Sequence, residues 1–244
     1  MTRVGWLDLG CGASGDMLLG AAIGAGAPLP AVEKAVAALG LPIRMVADDV
    51  ERAGLRATHV RVLSDEPDPP HRHWSDIRAL LDAADLDPVV RELAHRAFAA
   101  LAEAEGAVHG IPAEHVHFHE VGAHDAVGDV VGVVAALHEL GIDELVATPV
   151  ALGGGTVQAE HGVLPVPVPA VLQLFRASGA PGYGSDVPFE LCTPTGAALV
   201  TTLVGSYGPM PAMTVGEVGL GAGTRDLHDR ANVVRLVIGE RVEQ

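Results

Sequence analysis

Lysine is almost absent from this chain: Lys34 is the only one in 244 residues. There is accordingly no G-K-[ST] phosphate loop, and Lys34 falls in an ordinary helical pattern that suggests no Schiff-base role. Aromatic residues are scarce as well, at 3%. The core must therefore be built from Ala, Val, Leu and Gly, whose small side chains let helices and strands approach closely. Cys11 and Cys192 are the only cysteines, too few and too distant in sequence for a disulfide scaffold, which agrees with a reducing compartment. No apolar run reaches the ~18 residues of a membrane span, and no basic-then-apolar leader follows Met1. A cytoplasmic address and no membrane partner are expected.

Basic charge is also in short supply, with 15 Lys and Arg against 31 Asp and Glu for a formal charge of −16. That field repels polyanions and attracts cations, which excludes nucleic acid as a partner and leaves any triphosphate to Arg, backbone amides or a metal. The hydrophobic content of 49% is enough to bury a proper core, and the length suits one large domain or two small ones.

Patterning predicts a strand over VGWLDL and helices from about Asp16 to Ala25 and from Pro28 to Leu39, the second closed by Gly40. Strands follow at Ile43 to Ala47 and Leu55 to Leu63. The proline-rich stretch from Ser64 to His73 is expected to be a domain linker or an active-site loop. Ser75 is expected to cap a short helix to Ala83, and Asp87-Pro88 to start a long one to about Val108. A further helix, Asp125 to Leu140, carries Gly128 and Gly132, which leave a smooth stripe for another backbone. Beyond Leu145 short apolar strands alternate with Gly and Pro, broken by helices near 169–177 and 196–204. The expected class is α/β or mixed α+β, a mixed sheet with helices packed around it and not a regular Rossmann fold.

The stretch LDLGCGASGDM places Gly10, Gly12 and Gly15 in G-x-G-x-x-G spacing between a strand and a helix, and its first half resembles the opening motif of S-adenosylmethionine-dependent methyltransferases. A dinucleotide fold wants an acidic residue about 20 positions on. Here Asp48 and Asp49 lie more than 30 residues beyond Gly15, with two helices where one belongs. What remains is a turn whose amides favour an anion such as a phosphate monoester, with Ser14 adding a hydroxyl and Asp16 opposing it unless a metal or proton mediates. The bland alternative is strand-to-helix packing with Asp16 as a helix-start charge. Cys11, near the same helix start, is either a reactive thiolate or soft metal ligand, or an inert buried thiol.

EHVHFHEVGAHDAVGD, residues 114–129, concentrates His115, His117, His119 and His124 with Glu120, Asp125 and Asp129. An even spread of the 12 histidines would put fewer than one in such a window. An extended stretch would turn His115, His117 and His119 to one side, and Asp125 and Asp129 share a helix face. Imidazole with carboxylate suits Zn, Ni, Fe or Cu. His119 and His124 are five apart, which rules out the H-E-x-x-H zinc-peptidase helix. His71 and His73 form a second pair in the proline-rich stretch, able to close over the first.

Seven ordered motifs are similar to the N-terminal part of the LarC family, nickel insertion proteins of the nickel-pincer cofactor pathway. They are G-A-S-G-D-M from Gly12, H-R-H from His71, A-E-A from Ala102, H-F-H-E-V-G-A from His117, H-G-x-L-P-V-P from His161, T-P-T-G-A-A from Thr193 and G-x-G-A-G-T-R-D from Gly219. Together they outweigh the methyltransferase reading. The resemblance implies a metallochelatase-type activity of the lyase class: Ni2+ is inserted into a pyridinium-3,5-bisthiocarboxylic acid mononucleotide in a reaction that consumes CTP with Mn2+ or Mg2+. It also implies that residues 1–244 form a single nickel and substrate domain, and that the CTP site lies on a C-terminal domain beyond Gln244 or on a separate polypeptide. A homo-oligomer is expected. This sequence has Gly10-Cys11 where the family has an aromatic residue and a serine, and His124 where an apolar residue is usual; both add candidate metal ligands.

On this reading His71, His73, His117, His119, Glu120 and His124 are the candidate nickel ligands. Glu120, Asp125 and Asp16 are candidates to accept the ring proton released when the metal–carbon bond forms. Asp8, Cys11, Gly12, Ser14, Gly15, Thr193, Thr195 and Gly196 would surround the mononucleotide, with the Gly12 to Gly15 amides and both threonines on its phosphate. A plain helix cap is the alternative for Thr193 and Thr195. Because metal-binding imidazoles must be neutral, loading is expected to weaken below about pH 6.5. The rival is a metal-binding scaffold with no turnover unless a CTP-binding partner is present.

Overall fold

The computed structural model describes residues 2–66, 72–118, 123–159, 162–227 and 229–242. Strand β1 (Arg3–Asp8) passes through the glycine turn into α1 (Gly15–Gly24), then α2 (Leu29–Ala37) and a hairpin of β2 (Ile43–Arg52) and β3 (Leu55–Ser64). The short β4 (Arg72–His73) leads into α3 (Trp74–Ala83) and α4 (Pro88–His109); a 3-10 turn at Ala113–His115 precedes β5 (His117–Phe118) and α5 (His124–Glu139). Then come β6 (Glu144–Ala147), β7 (Val150–Gly153), β8 (Thr156–Ala159), β9 (Gly162–Pro165), α6 (Pro169–Ser178), β10 (Gly182–Gly184), α7 (Pro194–Leu203), β11 (Ser206–Tyr207), β12 (Met213–Ala222) and β13 (Val233–Arg241).

The main sheet has seven strands in the order β11-β6-β1-β13-β12-β3-β2. β1 runs parallel to β6 and antiparallel to β13, so the sheet is mixed, as expected, and lacks the all-parallel order of a doubly wound nucleotide fold. Alternation along β1 sends Leu7 into the main core and Val4 and Trp6 into a small cluster with Val146 and Val237. The main core draws on residues from both sides of the 64–73 stretch, Leu19 and Val60 with Ile77 and Phe98 among them.

Glycine decides how closely α1 lies on the sheet. A Cβ on Gly221 would overlap Met17 O and one on Gly219 would overlap Ala21 O, so helix backbone rests directly on β12. Gly128 and Gly132 act differently from the expected backbone stripe. They face the side chains of Val62, Ile43 and Leu19, which fill the space that a methyl group would need.

Local chemistry sets several boundaries. Asp87 caps α4 by accepting from Val89 N at 2.8 Å, Pro88 occupies the first turn, and Gly110 closes the helix at φ +69°. α3 begins one residue ahead of the Ser75 cap expected for it, because His73 N donates to Asp76 Oδ2 at 3.0 Å and makes His73 the entry residue. β2 continues past Ala47 to Arg52. Its Asp48 and Asp49 pair across the hairpin with Arg61 and Arg56, both at 2.6 Å, so charges that read as a strand end lie within an edge strand. The dinucleotide-type acidic candidates are thereby committed to ion pairs.

Candidate functional site

The turn after β1 is stitched to the segment before α7. Gly12 N donates to Leu9 O, Ala13 N to Leu191 O and Thr193 N to Ala13 O, each at 3.0 Å. Gly12 has φ +93°, and a Cβ there would overlap Leu191 O; a Cβ on Gly196 would overlap Ala13 O. These two glycines let two chain segments touch; the Ala13 amide is spent on that junction, and the Gly12 amide is spent within the turn on Leu9 O. Only Ser14 and Gly15 of the turn reach the cleft beside it.

That cleft, about 290 Å3, is lined by Ser14, Gly15, Asp16, Asp125, Asp129, Glu190, Thr193 and Thr195. A smaller one of about 160 Å3 adjoins it, sharing Ser14, Asp16, Glu190 and Thr193 and adding Phe189, Thr224, Arg225 and Asn232. Asp16 forms the common wall. Ser14 Oγ donates to Asp16 Oδ1, Met17 N donates to the same oxygen at 2.9 Å, and Thr224 Oγ1 donates to Oδ2 at 3.2 Å. His59 on β3 is buried, its Nε2 lacks a hydrogen-bond partner among the described residues, and it lies 3.7 Å from Asp16 Oδ2, in contact but too far for a hydrogen bond. Burial alone would raise the Asp16 pKa. The His59 imidazole, the Ser14 hydroxyl and the Met17 amide outweigh it and hold the carboxyl below the usual range.

Asp129 has the opposite environment. It lies against the Gly15 Cα, and burial together with the Asp16 and Asp125 charges pushes its pKa well above the ordinary carboxylate value. A narrow opening to the cleft does not relieve this, because the surrounding protein still displaces most of its water. The cleft therefore sets side by side two carboxyls whose environments push their pKa values apart, Asp16 downward and Asp129 upward, the arrangement that separates acid from base in catalytic sites.

The remaining candidates from the turn are otherwise engaged. Asp8 receives Arg235 at 2.6 Å and Gly10 N at 3.1 Å. Cys11 is half-buried, with Sγ 3.1 Å from Ala231 O, and burial raises its thiol pKa. α1 begins only at Gly15, four residues beyond Cys11, so its N-terminus does not offset the burial that raises the thiol pKa. Thr193 caps α7 by accepting from Gly196 N at 3.1 Å, while Thr195 stays on the cleft wall.

The histidines fall around the first turn of α5. β4 and β5 pair in antiparallel register with His73 opposite His117, and their ring centroids are 4.6 Å apart. Two of the candidate ligands are thus held face to face by a ladder. His115 does not join them; it is exposed in the 3-10 turn, whose tighter winding breaks the expected alternation. His124 is 2% exposed, with Nδ1 3.2 Å from Ser64 Oγ and 3.8 Å from Glu66 Oε2. Burial and the Arg72 charge lower its pKa against the pull of Glu66 and Asp125. Its neighbour Asp125 lines the larger cleft, so α5 joins the histidine region to the carboxylates. His71, His119 and Glu120 lie outside the described residues, and among the described residues no three His, Cys, Asp or Glu side chains form a group able to hold a metal.

Sequence spacing gave no signal for His59, which the sheet brings to Asp16 on β3, or for Glu190, which reaches the clefts through the junction of its segment with the turn after β1. Arg225 sits inside the motif that begins at Gly219, but nothing in its spacing tied it to the turn after β1.

Adjoining polar clefts at a strand–turn–helix junction, one of them rich in carboxylates, are gathered by a mixed α/β protein. The nickel insertion protein family model matches residues 6–244, and the chain belongs to that family. It is 51% identical over 237 residues to the pyridinium-3,5-bisthiocarboxylic acid mononucleotide nickel insertion protein of a Nocardioides strain, covering 96% of this chain and 59% of the relative. The protein of the same name from Geobacillus kaustophilus is 42% identical, covering 98% and 60%, and a putative nickel insertion protein of Geotalea uraniireducens is 45% identical, covering 98% and 61%. The chain thus spans about three fifths of the length of these relatives. No solved structure matches it.

Proposed function

We propose that this chain binds Ni2+ as cargo and a pyridinium-3,5-bisthiocarboxylic acid mononucleotide as acceptor, and brings them together for insertion of the metal. The observation that carries the reading is the pairing of His73 with His117 beside α5, whose Asp125 opens into the carboxylate cleft. Neutral imidazoles with carboxylates suit a borderline divalent ion, and the acidic walls suit a cationic pyridinium ring. His73 and His117, with His71, His119 and Glu120 from the neighbouring segments, would hold nickel before transfer.

Insertion replaces a ring C–H bond by a Ni–C bond and releases one proton, while two thiocarboxylate sulfurs complete the pincer. Asp16, kept ionised by its hydrogen bonds, and Asp125 are the acceptors within the cleft, with Glu120 the third candidate. Asp129 is not among them, because burial and the Asp16 and Asp125 charges make its carboxyl hard to ionise.

CTP with Mn2+ or Mg2+ does not suit this cleft, since Asp16, Asp125 and Glu190 oppose a triphosphate and the chain offers no lysine phosphate loop. A CTP-binding domain, in the same polypeptide or a partner, would supply that part. The second reading is a scaffold that turns over only with such a partner, favoured by the acidic lining of the cleft. Adding CTP and Mn2+ to the chain alone separates the two.

Nickel titration by calorimetry tests the core of the reading. The variant carrying His117→Ala and His119→Ala is expected to lose Ni2+ binding while its circular dichroism stays native; undiminished binding by that folded variant removes the site.

A further inference from the structure

The carboxylate cleft is a poor seat for a phosphate. Asp16, Asp125, Asp129 and Glu190 line it, the Asp16 carboxyl is held below the usual range, and two of the turn's amides are already engaged, Gly12 N on Leu9 O and Ala13 N on Leu191 O. A phosphate dianion placed there would meet like charge at short range in a partly desolvated space, where such repulsion is strongest.

The adjoining cleft has the opposite character. Arg225 lies on its wall with the guanidinium 4.9 Å above the centre of the Phe189 ring, and it forms no ion pair among the described residues. In a chain with twice as many acidic as basic residues, this cation stands at the cleft with no carboxylate ion-paired to it among the described residues. The loop that carries it is tied down from two sides. Arg52 donates through Nε and Nη2 to Gly223 O at 3.2 and 3.0 Å, and the buried Asn232 donates through Nδ2 to Arg225 O at 3.0 Å. A planar guanidinium stacked on an aromatic ring is pre-oriented and keeps its N–H edges free to fork onto phosphate oxygens.

We propose that Arg225, stacked on Phe189, is the phosphate anchor of a charge-separated mononucleotide whose cationic ring lies across the Asp16 wall in the carboxylate cleft. The inference rests on the mononucleotide reading above and deepens it: the two clefts sort the two ends of one ligand by charge. It relocates the phosphate from the glycine turn and the Thr193–Thr195 segment to the loop that follows β12.

The test compares a pyridinium mononucleotide, nicotinic acid mononucleotide, with its phosphate-free riboside, using calorimetry on this chain and on Arg225→Ala and Arg225→Lys. The wild type is expected to prefer the phosphorylated compound by about 10-fold or more, the scale of a charged hydrogen-bonded contact. Arg225→Ala should abolish that preference without altering riboside binding, and Arg225→Lys should retain part of it because the charge survives without the fork. If the wild type shows the preference and Arg225→Ala keeps it, the anchor is wrong while the mononucleotide reading stands. If the wild type binds neither compound, both fall. Equal weakening of both ligands in Arg225→Ala, with native circular dichroism, would show a structural role and also overturn the anchor.

Discussion

Asp129 of α5 lies directly against the α carbon of Gly15 at the start of α1: a Cβ added to Gly15 would stand 2.7 Å from the Asp129 Cβ and 2.8 Å from its Cγ. Two helices therefore meet at the cleft floor with no room for a methyl group. Gly15→Ala is expected to destabilise the fold by about 1–3 kcal/mol, the usual cost of overpacking, read as a lower denaturant midpoint with an unchanged slope. Wild-type stability in that variant would mean that the helices are not so close.

The two carboxyls at this contact should respond to pH with opposite signs. An unfolded chain releases either proton near pH 3.8, whereas folded Asp129 holds its proton to higher pH. Between those values the native state binds more protons at Asp129 than the unfolded state, so that residue costs stability as pH rises through the folded pKa. Folded Asp16 ionises below the unfolded value, so its contribution is fully present above about pH 3.8 and is lost as pH falls through the folded pKa. Asp129→Asn is expected to raise Tm at neutral pH, with the gain shrinking toward about pH 4. Asp16→Asn is expected to lower Tm at neutral pH. Thermal melts across pH that moved both variants in one direction would contradict the assignment.

Much of the fold was legible because its signals are local. Asp87-Pro88 and Gly110 bracket α4, the apolar alternation of VGWLDL sets β1, and Asp125 and Asp129 at i and i+4 reach one cleft. What escaped depends on partners remote in sequence. Asp48 and Asp49 looked like a strand end until Arg61 and Arg56 were placed opposite them, and His115 left the expected strand because a 3-10 turn intervenes. The glycine turn shows the limit of motif reading. Its spacing announced an anion cradle, but Gly12 and Gly196 serve a backbone crossing; Gly12 N is taken by Leu9 O within the turn and Ala13 N by Leu191 O, the second of which only the 190–196 segment could reveal.

The thiols should be quiet. Burial raises the Cys11 pKa, and Cys192 is fully buried with its thiol pushed further out of the titrating range. Since the thiolate is the reacting species, a disulfide reagent at pH about 8 should modify Cys11 slowly and Cys192 only after unfolding. Rapid stoichiometric labelling of Cys11 in the native protein would restore the reactive reading set aside here.

Arg52 offers a way to disturb the proposed phosphate end without touching a ligand. Its guanidinium, at the end of β2, makes two bonds to Gly223 O, and Gly223 stands two residues before Arg225. Arg52→Ala removes a fixed link between the β2–β3 hairpin and the loop, so the loop should gain freedom that binding must then suppress. Amide exchange is expected to quicken around residues 223–225, and nicotinic acid mononucleotide binding to weaken several-fold, on the order of the 1 kcal/mol typical of a lost hydrogen bond, while riboside binding stays constant. The carboxylate cleft gives the contrast, because Asp125→Asn leaves that loop alone. If its exposed charge serves the cationic ring, this variant should weaken both compounds equally and leave exchange at 223–225 unchanged. A result in which Arg52→Ala and Asp125→Asn affect the two ligands alike would show that the clefts do not divide the ligand by charge.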